Sequence, residues 1–134
     1  MRCLGVDLGD ARTGVALSDI CGITCAPLQV MAERDADKLV ARIVEVAKTH
    51  EAAEIVVGLP RPLQGGTNQQ LERVLGFVEL LRSRTVLRVT TWDERFTSRM
   101  ASARGRSMRS DDSVAACYML QNYLDASAGK RGEE

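Results

Sequence analysis

Three acidic positions could do chemistry together: Asp7, the pair Asp93-Glu94 and the pair Asp111-Asp112. Asp7 interrupts the apolar run LGVDLG, with Gly5 and Gly9 two positions away on either side. A carboxylate in such a run must be solvated, paired or bound to a cation, because burying it bare is expensive. Its strand face carries glycines in place of Val or Leu, so another group can approach the backbone closely. Asp93-Glu94 ends the stretch VLRVTTW, and ligand sites in α/β sheets favour the carboxyl ends of strands. Asp111-Asp112 opens the last helical stretch, where Ala115 and Ala116 are small enough to let a helix come near a sheet and bring Asp112 towards Asp7. Taken alone, Asp111-Asp112 reads as capping and dipole complementarity, and Asp93-Glu94 as a solvated turn. Brought together, these carboxylates would repel one another unless divalent cations lay between them. Hard oxygen donors from several elements, with no His or Cys required, suit Mg²⁺ or Mn²⁺. Two such ions about 4 Å apart can clamp the attacking and leaving oxygens of a phosphodiester.

The elements that must position these groups follow from periodicity. Residues 2–8 alternate as a strand, residues 9–13 form a Gly-Asp turn, and residues 14–19 return as the second arm of a hairpin. Residues 24–31 form a third strand, with Pro27 suiting an edge or a strand start. The period then changes: Leu39, Val40, Ile43, Val44 and Ala47 share one helical face, capped by Asp35. EIVVGLP (residues 54–60) has the look of a central parallel strand. Thr67 and Gln70 have capping-box spacing and open a helix to Arg84, striped by Leu71, Val74, Leu75, Val78 and Leu81. Residues 86–92 are another strand, residues 96–104 a short helix and residues 112–125 a final helix, with Val114, Ala115, Tyr118 and Leu124 facing inward. The order βββαβαβαα makes a mixed sheet with helices on two faces. Residues 1–126 read as a single domain and residues 127–134, small and charged, as a disordered tail.

Bulk composition narrows the classes. The chain has 134 residues, 45% hydrophobic and 27% charged, ordinary for a soluble globular domain. Lys+Arg and Asp+Glu both number 18, so net charge favours no partner and only local clustering can. No apolar run approaches a membrane span or a secretory signal, which predicts a cytoplasmic protein that engages no membrane. Cys3, Cys21, Cys25 and Cys117 are then expected to stay reduced. Cys21 and Cys25 have no second pair and no nearby His, which disfavours zinc.

Charge does cluster at one place. Residues 95–110 hold Arg95, Arg99, Arg104, Arg106 and Arg109 and no acid. Such a stretch, lying between two candidate carboxylates, can hold phosphates. Arg12, in the turn beside Asp7, and Arg61, after Pro60, could add to it. Aromatic residues make up only 4%, which points to recognition of shape and backbone rather than base stacking. Trp92 is expected in the core or as a packing wall, and His50, the single histidine, at a helix C-terminus. No His is then placed near the acids as a general base, which fits a metal-bound water as the nucleophile.

Four blocks, in order, resemble the YqgF/RuvX family of Holliday-junction-resolvase-like pre-16S rRNA nucleases, within the RNase H-like superfamily. They are LGVDLGDARTGVALSD, VVGLP followed by GG, DERFTSRMA, and DDSVAACYMLQNYLD. The resemblance spans roughly residues 2–125. It implies a five-stranded mixed sheet in the order 3-2-1-4-5, strand 2 antiparallel, with helices on both faces. It implies an acidic triad at Asp7, Glu94 and Asp112 that holds two Mg²⁺ or Mn²⁺ ions. It further implies hydrolysis of phosphodiesters in structured nucleic acid, in pre-16S rRNA 5′-end processing, in junction resolution, or in both; a symmetric four-way junction would call for a homodimer. This chain departs from the family in RGRSMRSDD, which lacks the usual run of lysines, and in the loop RPLQGG. The first hairpin also resembles the phosphate-binding hairpin of actin and sugar kinases, but 134 residues do not hold two lobes. A non-catalytic RNase H-like module for ribosome assembly or transcription is the other alternative; all three acids being present argues against it.

Overall fold

Alternation along the first twenty residues builds an antiparallel pair, β1 (Cys3–Leu8) and β2 (Thr13–Ser18). The computed structural model describes residues 1–60, 65–93 and 112–133, with side chains to residue 128. The pair is in register from Leu4↔Leu17 to Leu8↔Thr13, with Asp7 opposite Gly14. β3 (Cys25–Met31) joins β2 antiparallel as the edge strand. Pro27, which has no N–H to donate, sits there beside a register shift, as an edge tolerates. β4 (Glu54–Leu59) and β5 (Arg88–Asp93) add parallel strands on the far side of β1. The order is therefore β3-β2-β1-β4-β5, as the resemblance implies.

Two helices, α1 (Ala36–Thr49) and α2 (Gln69–Arg84), cover one face of this sheet. Asp35 caps α1 by accepting from the Lys38 N–H at 3.1 Å. The cap of α2 is Asn68 rather than the expected Thr67: its Oδ1 accepts from the Leu71 N–H at 2.8 Å. Asn is at least as good an N-cap as Thr, so the helix starts one residue later than the capping box suggests. In α2 the inward stripe contains Phe77 where Leu75 was expected, and Leu75 is exposed. Leu4, Val6 and Leu8 of β1 and Ile55, Val57 and Leu59 of β4 complete this larger core.

A single helix, α3 (Asp112–Glu133), covers the other face. It runs beyond residue 125, where the final helix was expected to end. Its buried face is Ala116, Met119, Leu120 and Leu124, against Cys3, Ala16 and Val56. Ala115, expected inside, is exposed, and Val114 and Tyr118 are half-buried. The phase is set by close approach to the sheet: a Cβ on Gly5 would lie 2.9 Å from the Leu120 Cβ. That contact turns the rows of residues 116 and 120 inward. β4, buried at every position, feeds both cores, as a central parallel strand does. β5 begins at Arg88, two residues later than expected, and Val86 lies fully in solvent. The expected helix over residues 96–104 falls outside the described residues. Among the described residues no helix is long and apolar enough to cross a membrane.

Leu120 is fully buried in the smaller core. Leu120→Ala should lower the unfolding free energy in urea by about 2–5 kcal/mol. A loss under about 1 kcal/mol would show that α3 is not packed there.

Candidate active site

Asp7 belongs to the α3 side of the sheet. Its neighbours Val6 and Leu8 point into the α1/α2 core, whereas Cys3 of the same strand lines the α3 core. Asp7 itself is half-buried. Laterally it is flanked by glycines. Gly14 pairs with it across β2. On the other side the β1–β4 ladder runs to Val6↔Val57, one step before Asp7 and Gly58, and Gly58 pairs in turn with Trp92. The open strand face inferred from Gly5 and Gly9 is not found, since a Cβ on Gly9 would lie 2.3 Å from the Arg12 carbonyl oxygen; the glycines beside Asp7 are instead Gly14 and Gly58. Sequence reading missed both, although each stands out in an otherwise aliphatic run, GVALS and VVGLP. Gly5 has a different use, because the group approaching its backbone is Leu120 of the chain itself.

The start of α3 sits directly on Gly14. A Cβ at residue 14 would lie 1.8 Å from the Asp112 carbonyl oxygen and 2.7 Å from the Ser113 nitrogen. No side chain larger than hydrogen fits, so the helix terminus bearing Asp112 is seated on the strand partner of Asp7. Asp112 is half-buried and Ser113 buried. The carboxylate in the first turn complements the positive end of the helix. The Asp112 backbone therefore lies over the strand partner of Asp7.

The strand edge is shared with β5. Leu59 pairs with Asp93, the last residue of β5, so β1, β4 and β5 finish at one border of the sheet. Glu94, the expected third ligand, follows Asp93 and lies outside the described residues, as do Asp111, Arg61, Arg95, Arg99, Arg104, Arg106 and Arg109. Among the described residues no three His, Cys, Asp or Glu side chains form a metal cage. The donor chemistry that is present, two carboxylates beside a border lined by glycines, suits a hard divalent cation. His50, at the C-cap of α1, is remote from this border in the fold.

The turn after Asp7 is pinned by a residue that sequence reading did not single out. Arg73 of α2 donates to the Gly9 carbonyl at 2.5 Å and lies 3.6 Å from the Asp10 carboxylate. Arg12, in the same turn, is exposed. At the opposite end of the α3 face a second unanticipated residue, the acid Glu54, is only 2% exposed. It accepts from Thr90 Oγ1 at 2.5 Å, Tyr123 Oη at 2.8 Å and Cys3 Sγ at 3.4 Å. Burial, then the bond to Glu54, push the Tyr123 phenol above its ordinary pKa. Trp92 stands edge-on to Tyr123, ring centroids 5.8 Å apart, as a packing wall.

Comparison with known proteins agrees with this architecture. The chain matches the family described as RuvX, Holliday junction resolvase, over residues 1–126. A protein of Desulforudis audaxviator provisionally named pre-16S rRNA nuclease is 37% identical over 134 residues, covering 94% of this chain and 95% of its own. A protein of the same provisional name from Symbiobacterium thermophilum is 36% identical over 141 residues, covering 99% and 98%. Among solved structures, Thermus thermophilus RuvC in complex with a Holliday junction substrate matches with a TM-score of 0.64 at 15% identity, covering 96% of each chain. The fowlpox virus Holliday junction resolvase matches at 0.53 and 10% identity, over 94% of this chain and 99% of its own. The fold is thus that of the RuvC-like, RNase H-like proteins.

Gly14→Ala should destabilise the protein by about 3 kcal/mol in urea, the upper end for overpacking, because the obstacle is backbone. Gly5→Ala should be milder, since the Leu120 side chain can shift. An unchanged urea midpoint for Gly14→Ala would show that α3 does not begin on β2.

Proposed function

This chain belongs to the RuvX family, and on that premise we propose that it is a metal-dependent nuclease that hydrolyses phosphodiester bonds in structured nucleic acid. The observation that carries the reading is the seating of α3 on Gly14, which brings Asp112 to the strand partner of Asp7. Precursor 16S rRNA is the first substrate to consider, because that is the activity for which full-length relatives at 36–37% identity are named. Four-way junction DNA is the second, since the resolvases share the fold at far lower identity.

Asp7 and Asp112, together with Glu94, would hold Mg²⁺ or Mn²⁺. When bound, such ions lower the pKa of water and offset charge on the phosphate. The chain's own residues do the rest. Gly14 lets the start of α3 carry Asp112 to the strand partner of Asp7. Arg12 lies exposed in the adjoining turn to donate to a phosphate. Arg95, Arg99, Arg104, Arg106 and Arg109 fall between Glu94 and Asp112 in the chain and would neutralise further phosphates, with Arg61 beyond β4. With few aromatics to stack bases, affinity would come from backbone and shape. A non-catalytic docking module has less support, because it gives Asp7 and Asp112 no reason to share one border.

The test is cleavage of precursor 16S RNA and of four-way junction DNA, with Mn²⁺ or with EDTA. Asp7→Asn and Asp112→Asn should each lower Mn²⁺-dependent cleavage by at least about 100-fold, since even groups behind the metal ligands can matter that much. Wild-type rates in either variant would remove the proposal. Binding, measured without cleavage, should weaken with salt at a log–log slope of about −4 for the five arginines of residues 95–110. Arg99→Gln should make that slope shallower by roughly 1; a slope near zero would assign those arginines elsewhere.

A further inference from the structure

Cys25 on the edge strand β3 and Cys117 early in α3 meet where strand and helix touch. Their sulfurs are 3.3 Å apart. Cys25 Sγ also lies 3.2 Å from the Cys117 carbonyl oxygen, and Cys117 Sγ 3.5 Å from the Cys25 carbonyl oxygen. Both residues are half-buried. A hollow of ≈ 250 Å³ lined by Pro27, Val114, Cys117, Tyr118 and Gln121 gives small reagents a way to Cys117. The pair is not a zinc site: among the described residues no third His, Cys, Asp or Glu completes a cage around it. Closing the bond would draw the sulfurs from 3.3 Å to about 2.0 Å, a shift that a strand edge and a helix can absorb.

We propose that Cys25 and Cys117 are a thiol–disulfide couple, oxidised by low-molecular-weight disulfides, whose closed form clamps the first turns of α3 to β3. The Cys117 thiolate attacks one sulfur of the reagent, forming a mixed disulfide and expelling one reagent thiolate, which takes up a proton. Cys25 then gives its proton to solvent and attacks the Cys117 sulfur, expelling the second reagent thiolate. Two protein thiols are oxidised and one reagent disulfide is reduced to two thiols. Cys117 is the attacking group because the hollow opens onto it and not onto Cys25; the sulfur contact also lowers the Cys117 pKa to about 7 and pushes Cys25 above the ordinary thiol range. The bond would join residues 92 apart in sequence, so it would restrict the unfolded chain strongly.

The experiment uses the full chain carrying Cys21→Ser, which removes the exposed thiol. It is incubated with oxidised glutathione, digested and mapped by mass spectrometry. The expected product is a peptide linking residues 25 and 117, with Tm raised by on the order of 10 °C. Dithiothreitol should abolish the rise, and Cys117→Ser should lack it. In the reduced protein, alkylation of Cys117 by iodoacetamide should rise with pH about a midpoint near 7. Glutathione left on either cysteine without an internal link, or a link that leaves Tm unchanged, overturns the clamp. A midpoint near 8.5, that of an ordinary thiol, overturns Cys117 as the attacking group. The link and its Tm are read in the parent chain, so a serine variant that fails to fold does not blur the result.

Discussion

The architecture turns on one close approach, the backbone of α3 resting on Gly14. A residue with any side chain at position 14 would strike the Asp112 carbonyl. Because Gly14 is the strand partner of Asp7, the same contact that seats the helix also sets where the backbone of Asp112 lies relative to Asp7. Residues near the two ends of the chain are thereby joined without a loop that must fold onto them. Two rigid elements set the spacing, which suits a site built from fixed groups better than a mobile segment would.

Close approach limits how much apolar area can hold the helix. The α3 core is made largely of small side chains, Cys3, Ala16 and Ala116, with Met119, Leu120 and Leu124 as its larger members. The α1/α2 core is much the larger and runs through every inward position of β1 and β4. Polar contacts supplement the smaller core at the end away from Asp112. Glu54, buried in the first position of β4, takes hydrogen bonds from β1, β5 and α3 together. A buried carboxylate is tolerable only when so satisfied, and its donors tie three elements to one group. The helix is thus held apolar in the middle, polar at its far end and by backbone fit at its start.

Much of this was legible before coordinates. The alternation in CLGVDL and TGVALS, the unbroken apolar run EIVVGL and the Asp35 cap all follow from local chemistry. The departures share a cause. The face of α3 was misjudged because its sequence has little amphipathic contrast: Ala115 and Ala116 are equal in hydrophobicity, and only Gly5 and Gly14, over a hundred residues earlier, decide between them. Phe77 against Leu75 is likewise a choice between two apolar residues that α2 alone does not make. Glu54 gave no signal because a charged residue at a strand start reads as solvated until its partners are known. Gly58 and Gly14 carried a signal, but pairing across strands is needed to see that they flank Asp7.

The same register bears on the proposed third ligand, which follows β5 in the chain. β1, β4 and β5 run parallel, so the chain leaves each of them at one border of the sheet. Leu59 lies beside Asp93, and the pair Gly58↔Trp92 is one step behind. β5 therefore ends at the border at which Asp7 stands. The chain then returns to that border, since α3 begins over Gly14. Both anchors of the segment between Asp93 and Asp112 are fixed there by the folded core, whatever path the segment takes. Five arginines, Arg95, Arg99, Arg104, Arg106 and Arg109, lie between those anchors in the sequence. On the proposed function, positive charge held between those anchors would give a polyanion a place to bind on a net-neutral molecule.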